Sequence, residues 1–158
     1  MMSTICVNRK PHLPHNWHGG SCEGVLELTP ENQFVGVIVI GSDGRLLIVH
    51  NVKRDQWCIP GGKPEKHEAL KAAALRELYE ETHLSCLYDD LRFSHEIEHV
   101  VAGVKWYGTI FTLRQFYGQP TLKCAEEIDG AMWVTPQRFM ALSEYAQGDL
   151  GRTFEVRR

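Results

Sequence analysis

The chain has 158 residues, 43% apolar and 23% charged, enough for one soluble domain with its own core. Its formal charge of −3 gives no reason to expect a nucleic-acid polymer or an acidic membrane as partner, although a local or metal-charged site for a small phosphorylated ligand stays open. Five cysteines (Cys6, Cys22, Cys58, Cys86, Cys124), odd in number and without a C-x-x-C pair, argue against a disulfide framework and suit a reducing compartment.

Residues 1–21 are polar and broken by Pro11, Pro14, Gly19 and Gly20, which predicts a loose arm ahead of one domain over 22–158. The first twenty residues lack the apolar core of a signal peptide. No run approaches the roughly 18 apolar residues of a membrane span, so the cytoplasm is the expected location. Cys22 to Leu28 reads as a short edge strand. Phe34 to Ile40 is an almost unbroken apolar run, as in a strand buried on both faces, and Asp43-Gly44 turns it into a hairpin partner over Leu46 to Val49. A basic and aromatic loop, Lys53 to Trp57, then leads to Pro60-Gly61-Gly62.

Glu68 to Thr82 is rich in strong helix formers. Leu91 to Val101 and Val104 to Phe116 read as strands joined at Ala102-Gly103, and Met132 to Val134 as a further short strand. Thr135 is placed to cap a last helix, with Pro136 in its first turn and an end near Gly148. There are no repeats or linkers. The order of elements is mixed α and β, with long hairpins around one helix.

That helix carries Arg76-Glu77-Leu78-Tyr79-Glu80-Glu81. Glu77, Glu80 and Glu81 stand at i, i+3 and i+4, so their side chains emerge on one face, and like charges at that spacing repel. Arg76 neutralises part of the cluster, through its i+4 neighbour Glu80. The commoner meaning of such a run is a solvated acidic face. The alternative is a missing divalent countercharge, and hard oxygen ligands select Mg²⁺ or Mn²⁺ over zinc.

The neighbourhood decides between them. Five residues separate Gly62 from Glu68, seven more lead to Arg76, and Glu77-Leu78-Tyr79-Glu80-Glu81-Thr82-His83-Leu84 follows. This stretch resembles the Nudix box, with His83 standing where the pattern has glycine. A left-handed residue commonly ends a helix there, and histidine tolerates that conformation at a cost of roughly 1 kcal/mol. Trp57-Cys58-Ile59-Pro60-Gly61-Gly62 is also similar to the family's approach to the box, and residues from about 34 to 142 follow its pattern.

The resemblance implies an α+β fold in which a mixed sheet lies between helices. It implies metal binding by the Gly61 carbonyl, Glu77, Glu80 and Glu81, with Glu127 (or its neighbour Glu126) as a further carboxylate. Glu77 and Glu80 are the catalytic candidates, Glu77 first as proton acceptor. Glu68 and Arg76 orient the loop and helix around them. Arg54, Trp57 and Lys63 are the candidate substrate contacts, and Trp106 and Tyr107 are candidates for stacking on a base. The implied cofactor is Mg²⁺, with Mn²⁺ as substitute. The implied reaction is hydrolysis of a phosphoanhydride in a nucleoside diphosphate derivative, foremost pyrophosphohydrolysis of a nucleoside triphosphate. Dimers are frequent in the family, and a homodimer stays open.

Alternatives inside the enzyme class are a nucleotide sugar of GDP-mannose or ADP-ribose type, a dinucleoside polyphosphate, and the 5′ end of RNA. Positions where some subfamilies carry a marker proline (ADP-ribose) or tyrosine (diadenosine polyphosphates) hold His99, Val100 and Val101. A Nudix-fold sensor without turnover is a different class, although such domains usually lose the glutamates kept here. His95-Glu96-Ile97-Glu98-His99 matches the zinc-protease signature H-E-x-x-H. That chemistry needs a helix, whereas alternation from Phe93 to Val101 predicts a strand. His12, His15 and His18, near Cys6 and Cys22, fit no standard zinc spacing and read as part of the arm.

Overall fold

The computed structural model describes residues 3–6, 25–28, 32–122 and 125–151. Its first two strands, β1 (Ser3–Cys6) and β2 (Val25–Leu28), pair antiparallel as a separate two-stranded sheet. The expected edge strand at Cys22 to Leu28 is thus realised over its second half, and the arm expected to be loose contributes its partner. The zinc-knuckle candidates His12, His15, His18 and Cys22 lie outside the described residues, as does the side chain of Cys6.

The remaining strands are β3 (Gln33–Ile40), β4 (Leu46–Asn51), β5 (Gln56–Cys58), β6 (Gly61–Gly62), β7 (Arg92–Val101), β8 (Val104–Leu113) and β9 (Ile128–Val134). They form one mixed sheet with the path β5-β4-β3-β8-β7, while β6 pairs with β3 and β9 with β4. β3 and β8 run parallel, and the other pairs run antiparallel. β3 is buried on both faces because helices cover both sides. Val35, Val37 and Val39 point to one core with Ala73, Ala74 and Leu78 of helix α1 (Leu70–Thr82). Ile38 and Ile40 point to a second core with Phe139 of α2 (Pro136–Leu142) and Ala146 and Leu150 of α3 (Ala146–Leu150). The period-2 alternation of a strand sorts this apolar run into two cores. Among the described residues, no helix is long and apolar enough to cross a membrane.

The β3–β4 hairpin zips only at Val39↔Leu47 and Ile40↔Leu46, then splays. The segment from Gln56 to Gly62 fills the opening. As β5 it pairs with β4, from Val49↔Cys58 to Asn51↔Gln56; as β6 it pairs with β3, Val35↔Gly62 and Gly36↔Gly61. The amide of Val37 donates to the Pro60 carbonyl (2.8 Å) across the crossing point. The stretch expected to be a basic loop therefore ends in a strand, and this wedge carries the glycine pair to the edge of α1.

The last expected helix is two. Thr135 caps α2 as predicted, its side chain accepting from the Arg138 amide at 3.2 Å, with Pro136 in the first turn. The break falls at Ser143, which is extended (φ −126°, ψ 131°) and whose hydroxyl accepts from the Tyr145 amide at 3.2 Å. A serine side chain that bonds nearby backbone offers the chain an alternative to the helix ladder.

Candidate active site

α1 carries the acidic cluster, and its inner face of Ala73, Ala74 and Leu78 fixes how that cluster is aimed. Arg76 organises it. Its Nε and one terminal nitrogen donate to both oxygens of Glu68 (2.9 and 3.0 Å), and the latter nitrogen also donates to the Lys63 carbonyl at 3.0 Å. The other terminal nitrogen donates to Glu77 Oε1 at 2.9 Å and Glu80 Oε2 at 3.2 Å. The expected i+4 contact with Glu80 is present, but it is one bond of five. Glu68 is tied back to its own loop, accepting from the Glu65 amide at 2.8 Å. The Glu68–Arg76 pair thereby clamps the segment after the glycines onto the helix.

The glycines are required by close approach. A Cβ on Gly61 would strike the Val35 carbonyl, and one on Gly62 would stand 2.5 Å from the Glu77 carboxyl carbon. The Gly61 amide donates to Glu81 Oε2 at 3.0 Å. Among the described residues no three His, Cys, Asp or Glu side chains converge as a preformed metal cage, since Glu80 leans to Arg76 and Glu81 to Gly61.

The electrostatics separate the carboxylate that Arg76 satisfies from those that burial strains. The Arg76 hydrogen bonds hold Glu68 below the usual carboxylate range. Burial pushes Glu77 up despite its Arg76 bond, and the charges of Glu80 and Glu127 add to the rise. Burial pushes Glu81 up to about 8, helped by Glu77 and Glu127 and opposed by the Gly61 amide and Arg54. Glu127 therefore lies within electrostatic reach of both half-buried carboxylates. Its backbone carbonyl accepts from Val52 (2.9 Å) and its side chain pairs with Lys53 at 3.6 Å. Glu126 is exposed.

The other candidates are less tightly gathered. Arg54 is exposed on the turn before β5, where its charge acts on Glu81, Cys58 and Asp149. Trp57 packs on the α2–α3 core and beside the His50 ring, 5.2 Å between centroids. Lys63 lies over the Trp106 ring at 4.7 Å, which places that indole beside the glycine loop. Tyr107 is half-buried with Lys105 at 6.0 Å from its ring. The H-E-x-x-H segment is a strand, as its alternation predicts. His95 bonds the Gly148 carbonyl at 2.9 Å, and His99 lies against Tyr145 and Phe34. Both rings serve α3, so the helical protease arrangement is absent there.

Two features escaped sequence reasoning. His50 Nδ1 donates to Asp129 at 2.6 Å while Nε2 lies 3.2 Å from Asp55, and the Asp129 bond holds this imidazole above the usual histidine value. Asp149, on α3, is buried and burial pushes its carboxyl up to about 7. No local pattern could have paired residues 50 and 129, or turned Asp149 inward. Only the sheet register and the helix break do so.

Known proteins resemble this chain in sequence and in fold. The model of the NUDIX domain matches residues 31–153. The curated protein YvcI of Bacillus subtilis (strain 168), an uncharacterized Nudix hydrolase, is 29% identical over 86 residues, 51% of this chain and 53% of that protein. The match thus spans about half the length of that relative. Among solved structures, the MutT Nudix hydrolase from Burkholderia pseudomallei superposes with a TM-score of 0.61 at 22% identity, covering 67% of this chain and 84% of the other. The E. coli dihydroneopterin triphosphate pyrophosphohydrolase superposes with a TM-score of 0.65 at 19% identity, covering 80% and 97%. A C. elegans Ap4A hydrolase gives 0.61 at 16% identity, covering 74% and 89%. These structural likenesses establish the fold, and the match over residues 31–153 establishes the family: the chain belongs to the Nudix family.

Proposed function

We propose that this protein is a cytosolic, divalent-metal-dependent hydrolase of phosphoanhydride bonds in nucleoside diphosphate derivatives, foremost a nucleoside triphosphate pyrophosphohydrolase. The observation that carries this reading is the pair of half-buried carboxylates, Glu77 and Glu81, gathered beside Gly61-Gly62, with Glu127 acting on both. Arg76 is spread over Glu68, Glu77, Glu80 and Lys63, so its single charge cannot balance the cluster. Several carboxylates gathered in partial burial, with no sulfur or imidazole among them, suit a hard cation such as Mg²⁺ or Mn²⁺. The Gly61 carbonyl, Glu77, Glu80, Glu81 and Glu127 are the groups that would hold it. When bound, such a metal neutralises the polyphosphate and lowers the pKa of an attacking water.

The protein's own groups have separate tasks in this scheme. Glu77 is the first candidate to accept the proton of the attacking water, with Glu80 second. Arg76 holds Glu77 through Oε1 at 2.9 Å and so fixes the direction of its carboxylate. Glu68 acts through Arg76 and positions rather than reacts. Lys63 and Arg54 are the cations available to the phosphates, and Trp57 is the aromatic contact on the same wedge. The test is release of phosphate or pyrophosphate from a panel of nucleotides, nucleotide sugars and dinucleoside polyphosphates, with Mg²⁺, with EDTA, and with Glu77→Gln and Glu81→Gln. Metal-dependent turnover that falls at least ~100-fold in each variant is the expected result. Nucleotide binding without turnover of any substrate would instead make the protein a sensor built on this fold.

A further inference from the structure

The end of β4 is gripped from both sides. His50 stands opposite Trp57 of β5 and Gly130 of β9. One residue further on the register steps, and Asn51 pairs with Ile128, which leaves Asp129 as an extra residue in β9. A bulge of this kind bends its strand, re-aims the side chains beside it and leaves the extra residue without a ladder partner. The imidazole takes the partner's place. His50 Nδ1 donates to Asp129 Oδ1 at 2.6 Å, as short as charge-assisted bonds are.

The other ring nitrogen reaches the turn between β4 and β5. Nε2 lies 3.2 Å from Asp55 Oδ1, on a residue in the left-handed region (φ 50°). With a carboxylate at each nitrogen, both nitrogens carry protons, and the Asp129 bond holds the ring above the usual histidine value. Trp57 lies beside the ring at 5.2 Å, and Gly130 makes room for it, since a Cβ there would stand 3.0 Å from the indole.

The two segments joined in this way carry charged groups of opposite sign that both act on Glu81. The turn carries Arg54, whose amide donates to Asn51 Oδ1 at 3.0 Å and whose guanidinium lies 3.9 Å from Cys58 Sγ. Glu127 stands two residues before the bulged Asp129. Its carbonyl accepts from the Val52 amide at 2.9 Å and its carboxylate lies 3.6 Å from Lys53, so it is bound to the same turn.

We propose that His50 is a positioning residue whose imidazole fastens the Arg54 turn to the Asp129 bulge and thereby sets the place of Glu127 relative to Glu81. The inference rests on the hydrolase reading for the use of these two carboxylates toward a divalent metal. His50 acts through Asp55 and Asp129 and is not itself a group for metal or substrate. Exposed ion pairs add little to stability, so the melting temperature is not where this fastening shows. It shows in metal affinity, which the outer partners of a site change by about 10- to 100-fold.

The experiment is Mn²⁺ binding to the ligand-free full chain, followed by electron paramagnetic resonance of the free ion. It compares the parent with His50→Ala, His50→Asn, Asp55→Ala and the double variant of His50→Ala with Asp55→Ala. Binding that is lost on Glu81→Gln is the event counted, and thermal midpoints without metal are recorded alongside. His50→Ala should weaken Mn²⁺ about 10-fold and Asp55→Ala by less, with nothing added in the double variant. His50→Asn keeps a donor toward Asp129 and should recover most of the loss. The Asp55 side chain is 95% exposed, so its variant carries the test even where His50→Ala fails to fold. Unchanged affinity in the two alanine variants overturns the proposal, as does additive weakening by the two. A loss that follows the melting temperature and is not relieved by asparagine assigns the ring a structural role and overturns it too. A parent that binds no Mn²⁺ sinks the hydrolase reading and this proposal together. Mn²⁺ binding with the expected variant pattern but no turnover of any substrate would sink that reading alone and leave His50 its positioning role.

Discussion

Gly62 and Glu77 fit each other at the scale of single atoms. A methyl on Gly62 would stand 2.5 Å from the Glu77 carboxyl carbon and Oε1. The obstacle is the end of a flexible side chain, so the fold can absorb Gly62→Ala by swinging the carboxylate aside. With Glu77 in its proposed role, catalysis cannot, because a misplacement of about 1 Å at a reacting group costs on the order of 100-fold. Gly62→Ala should therefore retain a urea midpoint close to the parent and lose about two orders of magnitude in kcat. A large loss of stability with activity per folded molecule intact would mean that the glycine serves only the backbone. The gathering of these residues in the candidate site was legible in the sequence, because spacing along one helix and a glycine pair are local facts. The burial of Asp149 was not, because Gly148-Asp149-Leu150-Gly151 looks like a turn until the break at Ser143 rotates α3 onto the sheet.

At the scale of elements, α1 was readable and the wedge was not. Thirteen residues of good helix formers leave little choice of structure, whereas the three residues of β5 and two of β6 are strands only because the splayed hairpin offers them partners. The helix end shows how a departure from the usual glycine is tolerated. His83 is left-handed (φ 60°), and its amide donates to the Tyr79 carbonyl at 2.8 Å, as a C-terminal cap requires. Its ring bonds the Thr121 carbonyl at 3.0 Å and meets the Tyr79 ring edge-on at 5.1 Å. The left-handed conformation costs a non-glycine residue roughly 1–2 kcal/mol, and a hydrogen bond returns about 1 kcal/mol. His83→Gly removes the strain together with the ring contacts and should change stability by less than about 1 kcal/mol. His83→Ala keeps the strain, loses the contacts, and should cost about 1–2 kcal/mol. Urea unfolding of the two variants checks the order. If alanine proved as stable as glycine, the left-handed strain would count for nothing; if alanine proved as stable as histidine, the ring contacts would.

Across the whole molecule, the sheet is a wall shared by two cores, and the parity of each strand residue assigns it to one of them. Leu47, Phe111 and Leu113 face α1, whereas Leu46, Ile48 and Ile110 face α2 and α3. The apolar runs were legible as buried strands, but the division into two cores required the register. The wedge lies between the two, with Glu81 meeting it at Gly61 on the α1 side and Trp57 and Ile59 packing into the other core. A shared wall should make the cores melt together. Phe139 is fully buried on the α2 side and Leu78 on the α1 side. Truncating either to alanine removes buried carbon and leaves a cavity, worth about 3–5 kcal/mol for the phenylalanine and 2–5 kcal/mol for the leucine. If the sheet couples the two, each variant should unfold in one transition with an unchanged denaturant slope. Tryptophan fluorescence can follow both sides, because Trp133 packs on the α1 core and Trp57 on the other. Coincident fluorescence and far-UV dichroism curves for Phe139→Ala are the expected outcome. A first phase that released Trp57 while the helical signal of α1 persisted would show that the halves fold separately, and the two sides of the wedge could then not be held in register by the sheet alone.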